Sequence, residues 1–279
     1  MQAQKGELAG QRAVVTGGGG GIGRAVSGAL AAAGARVAVW GRRQPPLDET
    51  LSQLAGSGHR AETVDVGRPE SVQAAYAAVE RAWGGIDILI NNAALQGPIG
   101  LTHEVDAAAW ASTVQTNLVG PLLCARQVLP GMIERKRGKI VNLSGGGAVS
   151  PRPRFSAYGA SKAGLVRLTE TLAAEVAPWG VDINAVAPGA VSTGMQDEIL
   201  AAGSAAGDAA LEEARQAQEG GESGLARAAA LVLFLASSRS DGLSGRLLSA
   251  VWDPWEELDI AAVMAGEAYT VRRLKPEDE

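Results

Sequence analysis

The hydrophobic positions of the chain fall into short apolar runs that alternate with longer, alanine-rich amphipathic segments. Seven short runs rich in Val, Ile or Leu are predicted strands: 12–16, 36–40, 61–64, 86–90, 139–143, 181–186 and 246–251. The main segments between them are predicted helices: 22–33, 69–83, 118–135, 161–177 and 224–236. Such alternation is typical of βαβ units, and strands that are apolar throughout are buried on both faces. We therefore predict an α/β fold with a doubly wound, mainly seven-stranded parallel sheet flanked by helices.

The pattern continues along the chain without an internal linker, which predicts a single domain over residues 1–251. Residues 196–224 are rich in Ala, Gly and acidic side chains, and we interpret them as a substrate lid, with a helical excursion as the alternative. Residues 252–279 form a C-terminal tail that contains Trp252 and Trp255. These tryptophans could anchor the tail on its own domain, cap a pocket or dock on another subunit. Packing on the same domain is the default expectation.

Composition and charge narrow the function classes. The 279 residues include 25 Lys and Arg against 30 Asp and Glu, and the net charge of −5 argues against a nucleic-acid partner. His59, His103 and Cys124 are too few and too scattered for a His/Cys zinc site or a disulfide framework. No apolar stretch approaches the ~20 residues of a membrane helix, and residues 1–11 lack a secretory signal. We expect no metal, no membrane contact and a cytoplasmic location.

Five of the 37 glycines stand in one run, Gly17 to Gly21, between a predicted strand and a predicted helix. A tight turn without side chains lets backbone N–H groups and the helix N-terminus approach a pyrophosphate, as in Rossmann-type dinucleotide sites. With Gly23, the run satisfies three patterns at once: GxGxxG, GxxGxxG and TGxxxGxG. The loop predicts a dinucleotide site in a Rossmann-type fold, but it does not select a subfamily.

The end of the second predicted strand bears on the choice of dinucleotide. An NAD site places an acidic residue there for the ribose hydroxyls, whereas an NADP site supplies positive charge for the 2′-phosphate. This strand ends in Trp40-Gly41-Arg42-Arg43, without a carboxylate. Arg42, together with Arg43, would hold the phosphate through charge-assisted hydrogen bonds. We predict a preference for NADP(H), with NAD(H) as the alternative if these arginines are only solvated loop residues.

Tyr158 and Lys162 open another predicted helix at an i, i+4 spacing, which places both side chains on one face. A neighbouring cation favours the phenolate of a tyrosine, whose pKa is otherwise near 10. The pair is thus a candidate proton donor and acceptor. The spacing alone is a weak signal, because a packed tyrosine beside a surface lysine would give the same pattern.

Six motifs, in the expected order over about residues 8–251, make the sequence similar to the shorter-chain branch of the short-chain dehydrogenase/reductase family. Thr16 to Gly23 looks like its TGxxxGxG loop, and Asn91 to Ala94 is close to NNAG, with Ala94 in place of Gly. Asp65-Val66 resembles the adenine contact. Asn184 to Thr193 resembles the segment that contacts nicotinamide. The active-site asparagine and the catalytic pair correspond to Asn117, Tyr158 and Lys162.

The resemblance, with Arg42 and Arg43 added, gives the predicted site. The cofactor-binding residues are Gly17, Gly19, Gly20, Gly21, Ile22, Gly23, Arg42, Arg43, Asp65, Val66, Asn92, Ala93, Ala94, Tyr158, Lys162, Pro188, Gly189, Val191 and Thr193. The catalytic residues are Asn117, Ser144, Tyr158 and Lys162.

The chemistry that the resemblance implies is hydride transfer between a nicotinamide and a carbonyl or secondary alcohol, with Tyr158 as general acid and base. Lys162 would lower the Tyr158 pKa and bind the nicotinamide ribose. Asn117 would hold a water in the proton relay, and Val191 and Thr193 would fix the carboxamide. The partner is a small carbonyl or alcohol substrate. Helices 118–135 and 161–177 resemble those through which family members form dimers and tetramers, which implies a homo-oligomer.

One position departs from the family pattern. Members commonly carry a serine 13 residues before the tyrosine, and this chain has Gly145 there. Either Ser144 supplies the hydroxyl or the site lacks this donor, whose loss would cost on the order of 10²–10³ in rate. Gly145 to Gly147 would also widen the pocket. Arg152 and Arg154 follow, and they would either engage a substrate carboxylate or phosphate or remain surface charges.

Two other functions stay open. A dinucleotide-binding sensor or scaffold with weak or no catalysis follows from Gly145 at the serine position. A sugar-nucleotide epimerase or dehydratase follows from the GxxGxxG overlap, although the motifs at residues 91–94 and 188–193 count against it.

Overall fold

The computed structural model describes residues 6–219 and 222–273. The strands in these residues are β1 Arg12–Thr16, β2 Arg36–Gly41, β3 Arg60–Thr63, β4 Ile88–Asn91, β5 Gly138–Leu143, β6 Val181–Ala187 and β7 Leu247–Ser249. Each end lies within two residues of the predicted one. The seven strands form one sheet in the order β3-β2-β1-β4-β5-β6-β7, and every neighbouring pair is parallel. The predicted Rossmann-type fold is confirmed.

The strand order reverses between β1 and β4, where a doubly wound sheet opens a crevice beyond the carboxyl ends of its strands. The glycine run follows β1, and Asn92 follows β4. Both motifs therefore reach the crevice from neighbouring strands.

Helices cover both faces of the sheet. They are α1 Gly21–Ala32, α2 Gln44–Gln53, α3 Pro69–Trp83, α4 Ala107–Val114, α5 Gly120–Glu134, α6 Ser156–Val176, α7 Gly194–Ala202, α8 Asp208–Glu219, α9 Glu222–Ala236 and α10 Ile260–Ala265. The five predicted helices correspond to α1, α3, α5, α6 and α9. The sequence pattern misses α2 because Pro45 and Pro46 suggest a loop, whereas they occupy the first turn, where the missing N–H costs no helical bond.

Alternate residues of the central strands enter two separate cores. Val15 and Val39 pack in the cluster that contains α1 and α9 residues. Val14 and Trp40 pack in the cluster that contains α3 and α5 residues. Burial on both faces explains why these strands read as continuous apolar runs.

A third, smaller cluster lies beyond the sheet, at the start of α6. Phe155 and Tyr158 pack there with Ile199 of α7 and with Ala210 and Ala214 of α8. Helices α7 and α8 belong to the segment interpreted from sequence as a lid. Their apolar faces thus lie next to Tyr158.

The two tail tryptophans differ in environment. Trp255 is 5% exposed, and its ring centroid lies 5.7 Å from that of Phe234 in α9. Trp252 is 85% exposed. Trp255 therefore packs on its own domain, as expected from the sequence. Trp252 does not, because its side chain is exposed. Within the described residues, no helix combines the length and apolar character needed to cross a membrane.

Candidate active site

The loop between β1 and α1 has a conformation that requires glycine at several positions. Gly17 and Gly21 have φ angles of +66° and +50°. A Cβ on Gly23 would overlap the carbonyl oxygen of Gly17 and lie 2.6 Å from Asn92 Nδ2. A Cβ on Gly20 would meet nothing within 4 Å. The loop is packed against protein on one side and open on the other, as a phosphate site at a helix N-terminus requires.

Asn92 ties this loop to the end of β4. Its Nδ2 donates to the carbonyl oxygens of Thr16 (3.0 Å) and Gly17 (3.2 Å). Thr16 Oγ1 accepts hydrogen bonds from the backbone N–H groups of Asn92 (2.9 Å) and Ala93 (3.0 Å). Asn92 thus positions the glycine loop relative to β4.

Arg24 in α1 is a positioning residue that the sequence analysis did not single out. Its Nη2 donates to the carbonyl oxygen of Gly19 at 2.8 Å, and its Nε donates to Thr50 Oγ1 in α2 at 3.0 Å. Glu49 pairs with the same guanidinium through both carboxylate oxygens. The arginine therefore fixes the glycine loop relative to α2. No signal in the sequence distinguishes it from an exposed helical arginine.

The glycine loop borders a cleft of about 230 Å³. Nine predicted cofactor residues line it: Gly17, Gly19, Gly20, Arg42, Arg43, Asp65, Val66, Ala93 and Ala94. Leu95 and Thr116, which the sequence analysis did not name, also contribute. Asp65 is held in place by a hydrogen bond from the Gly67 N–H to Oδ1 at 2.9 Å. Because its walls are formed by glycines, short apolar side chains and two arginines, the cleft fits the adenosine and phosphate portion of a dinucleotide.

Arg42 and Arg43 are exposed at the end of β2, beside this cleft. Neither guanidinium has a hydrogen bond or ion pair with another described residue. Their charges are therefore available to an anion at the edge of the cleft.

Tyr158 and Lys162 lie on one face of α6, and both side chains are buried. Lys162 Nζ lies 5.6 Å from the centroid of the Tyr158 ring. The same ammonium donates to the carbonyl oxygen of Leu143, the last residue of β5, at 2.6 Å. The predicted pair is thus present and is anchored at the carboxyl end of the sheet.

Burial shifts both groups toward their neutral forms. It raises the pKa of Tyr158 to about 12 and lowers the pKa of Lys162 to about 8. The resemblance implied a lowered Tyr158 pKa, but desolvation of the phenol dominates in this structure. Smaller effects on the Tyr158 pKa come from Arg152, which lowers it, and Glu213, which raises it. The phenol therefore keeps its proton at neutral pH.

Asn117 connects the cleft to the catalytic helix. It lies in a π-helical turn, Gln115–Val119, between α4 and α5. Its Nδ2 donates to the Leu95 carbonyl oxygen (2.9 Å) and to Ser161 Oγ (3.1 Å), and its Oδ1 accepts from the Leu95 N–H (2.8 Å). Ser161 Oγ in turn donates to the carbonyl oxygen of Tyr158 at 2.7 Å. Asn117 therefore fixes Leu95, which lines the cleft, relative to the start of α6.

Gly145, at the position where the family resemblance implied a serine, lies against the phenol of Tyr158. A Cβ at this position would overlap Tyr158 Oη and lie 3.2 Å from two ring carbons. The preceding Ser144 is buried, and its Oγ has no hydrogen-bond partner within the part of the chain that the structure describes. The phenol is thus adjacent to glycine backbone, and one buried hydroxyl nearby in sequence retains its full hydrogen-bonding capacity.

The loop after β6, residues 188–193, reaches the glycine loop at its last residue. A Cβ on Gly21 would lie 3.1 Å from Thr193 Cγ2, so Thr193 borders the glycine loop. Val191 is buried against Gly224 of α9. Gly189, with φ of +83°, abuts Val251 after β7. Pro188 precedes it. Ile22, by contrast, packs against the core cluster of α1 and α9.

Comparison with known proteins agrees with this geometry. A family model described as short chain dehydrogenase matches residues 11–203. The chain is 38% identical over 188 residues to human dehydrogenase/reductase SDR family member 4. This match covers 67% of this chain and 68% of the human protein. It is 32% identical over 245 residues to 2-dehydro-3-deoxy-D-gluconate 5-dehydrogenase of Formosa agariphila, with coverage of 87% and 91%.

A solved structure of NAD⁺-bound xylitol dehydrogenase superposes with a TM-score of 0.79 and 27% identity, and the match covers 87% of this chain and 98% of that one. Similarity of sequence and structure thus extends over both the glycine loop and the catalytic helix. The chain belongs to the short-chain dehydrogenase/reductase family, and it is a nicotinamide-dependent oxidoreductase that acts on CH–OH or C=O groups.

Proposed function

We propose that this protein interconverts a carbonyl and a secondary alcohol, with Tyr158 as the general acid and base and NADP(H) as the preferred cofactor. The observation that carries the proposal is that α6, which bears Tyr158 and Lys162, is hydrogen-bonded through Ser161 and Asn117 to Leu95 in the wall of the dinucleotide cleft. The helix that carries the acid–base groups is thus linked to the cofactor cleft by hydrogen bonds.

The protein's own residues handle the proton. When bound, the nicotinamide supplies or accepts the hydride. Tyr158 holds its proton at Oη at neutral pH and donates it to a carbonyl oxygen in the reductive direction. In that step the charge of Lys162 stabilises the phenolate, because the ammonium is buried close to the ring. With one donor on Leu143, Lys162 retains others for ribose hydroxyls.

The remaining catalytic assignments are part of the same proposal. Asn117 positions α6 and can accept a hydrogen bond from a water at its second Oδ1 lone pair. Ser144, whose buried Oγ has no described partner, is the candidate donor to the substrate oxygen. A spectrophotometric assay tests this function: nicotinamide absorbance should change with members of a carbonyl and alcohol panel. Absence of turnover across that panel would contradict it.

The preference for NADP(H) rests on Arg42 and Arg43. Their guanidinium groups, which have no hydrogen bond or ion pair among the described residues, flank the cleft, and no carboxylate follows β2 directly. Thermal melting with NADPH and with NADH tests it, since a ligand that binds only the folded state raises stability by mass action. We expect the larger shift with NADPH, and Arg42→Ala should reduce that shift far more than the shift with NADH. Equal shifts in the wild-type protein would contradict the preference.

A second candidate function is a dinucleotide sensor or scaffold, which Gly145 in place of serine favours. Tight NADPH binding with no turnover of any carbonyl or alcohol would support this function over catalysis.

Three further parts of the proposal come from the sequence and from family resemblance. Residues 196–224 act as a substrate lid, the chain assembles as a homodimer or homotetramer, and it resides in the cytoplasm. Light scattering of the purified protein tests the assembly, and cell fractionation tests the location.

A further inference from the structure

Arg152 is a charged group next to the buried apolar cluster that contains Phe155 and Tyr158, and the proposed mechanism does not use it. It lies in the loop between β5 and α6, and its side chain is 17% exposed. Its guanidinium carbon stands 4.5 Å from the centroid of the Phe155 ring, and Phe155 is buried. This stacking on a fixed aromatic ring holds the guanidinium in one place.

The three consecutive glycines leave room for this guanidinium beside the phenol. A Cβ on Gly146 would lie 3.0 Å from Arg152 Nη1, and a Cβ on Gly147 would lie 3.2 Å from Arg152 Cβ. Gly145, the neighbour of Gly146, abuts Tyr158. Larger side chains here would displace Arg152. The run of glycines therefore brings a cation and the catalytic phenol to adjacent positions of the same turn.

Most of the hydrogen-bonding capacity of Arg152 is unused. Among the described residues, its guanidinium has one hydrogen-bond partner: Nη2 donates to Glu213 Oε2 at 2.8 Å. Nε and Nη1 have none. Arg154, two residues on, also makes one hydrogen bond among the described residues, from Nη1 to the carbonyl oxygen of Ala205. It differs in position, because its Nε lies next to Gly207, whereas Arg152 Nη1 lies next to Gly146. Arg152 is thus the arginine that has donors available to a ligand beside the glycine turn at Tyr158.

The partner of Arg152 is suited to displacement. Glu213 comes from α8, in the lid segment, and its side chain is 48% exposed. An exposed carboxylate that leaves such a pair regains its hydration, so the exchange is inexpensive. Once Glu213 leaves, Nη1 and Nη2 present the two-pronged donor edge that matches the two oxygens of a carboxylate.

We propose that Arg152 is the specificity-determining residue of this site and binds a carboxylate of the substrate, which replaces Glu213. The carbonyl of the same molecule then lies at Tyr158, because the phenol abuts Gly145 and the guanidinium abuts the next residue, Gly146. The substrates are oxo acids and the corresponding hydroxy acids. A single guanidinium with an acidic neighbour suits the single charge of a carboxylate better than a phosphate dianion. This inference rests on the proposed function.

The electrostatics of Tyr158 agree with this placement. Beyond the dominant effect of burial, Arg152 lowers and Glu213 raises the pKa of the phenol, so both charges act on the same group.

The test measures kcat/KM for three oxo acids: 3-oxobutanoate, 4-oxopentanoate and 5-oxohexanoate. Each acid is compared with its methyl ester and with the corresponding ketone that carries a phosphate in place of the carboxylate. Wild-type kcat/KM should favour at least one carboxylate over its ester by about ten- to a hundredfold, the range of a charged hydrogen bond. Arg152→Gln should bring that ratio near one, mainly through KM. Glu213→Gln should lower KM for the carboxylate, because the internal competitor is gone. Arg215→Gln, on the same helix, is the control and should leave the ratio unchanged.

A binding measurement keeps the inference separate from catalysis. Calorimetry with NADP⁺-saturated protein should detect binding of pentanoate but no binding of pentanamide. Arg152→Gln should abolish this difference in binding between the two ligands. If pentanoate binds through Arg152 but no carbonyl turns over, the proposed function fails and the inference stands. If carbonyls turn over but ester and acid are equivalent, or if Arg152→Gln and Glu213→Gln both weaken carboxylates and esters alike, the inference is overturned. A preference for the phosphate-bearing ketones would also overturn it, and absence of both turnover and binding would overturn both.

Discussion

Gly145 contacts the phenol of Tyr158 so closely that even a methyl group on Gly145 would overlap Tyr158 Oη. The family pattern suggests that restoring serine here would improve catalysis. The contact predicts the opposite. Gly145→Ala and Gly145→Ser should both displace the phenol and lower kcat on the order of 10²-fold, the cost of a misplacement near 1 Å. Steady-state kinetics measure this effect.

Gly28 provides the control for that pair of variants. A Cβ on this α1 residue would meet nothing within 4 Å, so Gly28→Ala should keep wild-type kcat. If Gly145→Ser matched or exceeded the wild-type rate, the contact between Gly145 and Tyr158 would not describe the working site.

Asn92 should determine cofactor affinity without touching the cofactor. Asn92→Ala leaves the carbonyl oxygens of Thr16 and Gly17 without their donor, which should cost about 1–3 kcal/mol of stability and raise the Kd for NADPH. Asn92→Asp should be worse than alanine, because it places a carboxylate against those two carbonyl oxygens. Melting curves and fluorescence titration check both effects. If Asn92→Asp bound NADPH as well as the wild type, Asn92 would not hold the loop by donating.

Lys162 should make stability depend on pH with a defined sign. Folding lowers its pKa from 10.5 to about 8, because the side chain is buried. Between these values the unfolded chain keeps a proton that the folded chain has released, so the free energy of unfolding rises with pH. Below about pH 8 both states carry the proton and this contribution is constant. The raised pKa of Tyr158 acts with the opposite sign, but only above pH 10.

Urea unfolding of the wild type and Lys162→Met at pH 7.5 and 9.5 measures the Lys162 effect. Between these pH values, the free energy of unfolding of the wild type should rise by about 2 kcal/mol relative to that of the variant. This figure follows from a slope of ~1.4 kcal/mol per pH unit above the folded-state pKa of Lys162. A difference that stayed constant, or that moved in favour of the variant, would be inconsistent with a depressed Lys162 pKa.

The two tail tryptophans give a matched pair for stability. Trp255→Ala removes a side chain that packs on Phe234 and should cost about 3–5 kcal/mol. Trp252→Ala changes an exposed side chain and should alter the stability of the monomeric chain by less than about 0.5 kcal/mol. Chemical denaturation at low protein concentration measures both. Equal effects would mean that the tail does not dock through Trp255.

The sequence predicted the sheet well because its strands are buried on both faces, so that Val, Ile and Leu form uninterrupted runs with little ambiguity. It also placed Tyr158 with Lys162 on one helical face, since that inference needs only the helical period. Helix α2 was missed because local proline chemistry permits either a loop or a helix start at Pro45 and Pro46. The environments of Trp252 and Trp255 were indistinguishable, because burial depends on tertiary contacts.

Three site properties also depend on tertiary structure. The hydrogen bonds of Arg24 to Gly19 and Thr50 join α1, the glycine loop and α2. The spacing of these residues in the sequence does not predict the contacts. The sequence shows that residue 145 has no hydroxyl, but it does not show that Gly145 contacts Tyr158. The pKa of Tyr158 depends on how deeply α6 buries the phenol, and that burial reverses the direction expected from the lysine alone.

The most direct test of the central claim is single-turnover hydride transfer by Tyr158→Phe, with Tyr76→Phe as the matched control. Tyr76 lies in α3, far along the chain from Tyr158 and in a different helix. Tyr158→Phe should still bind NADPH, and at saturating NADPH it should transfer hydride on the order of 10²–10⁴ times more slowly, because the proton donor is lost. Tyr76→Phe should react at the wild-type rate. A Tyr158→Phe protein that reacts as fast as the wild type would contradict the assignment of Tyr158 as the general acid and base.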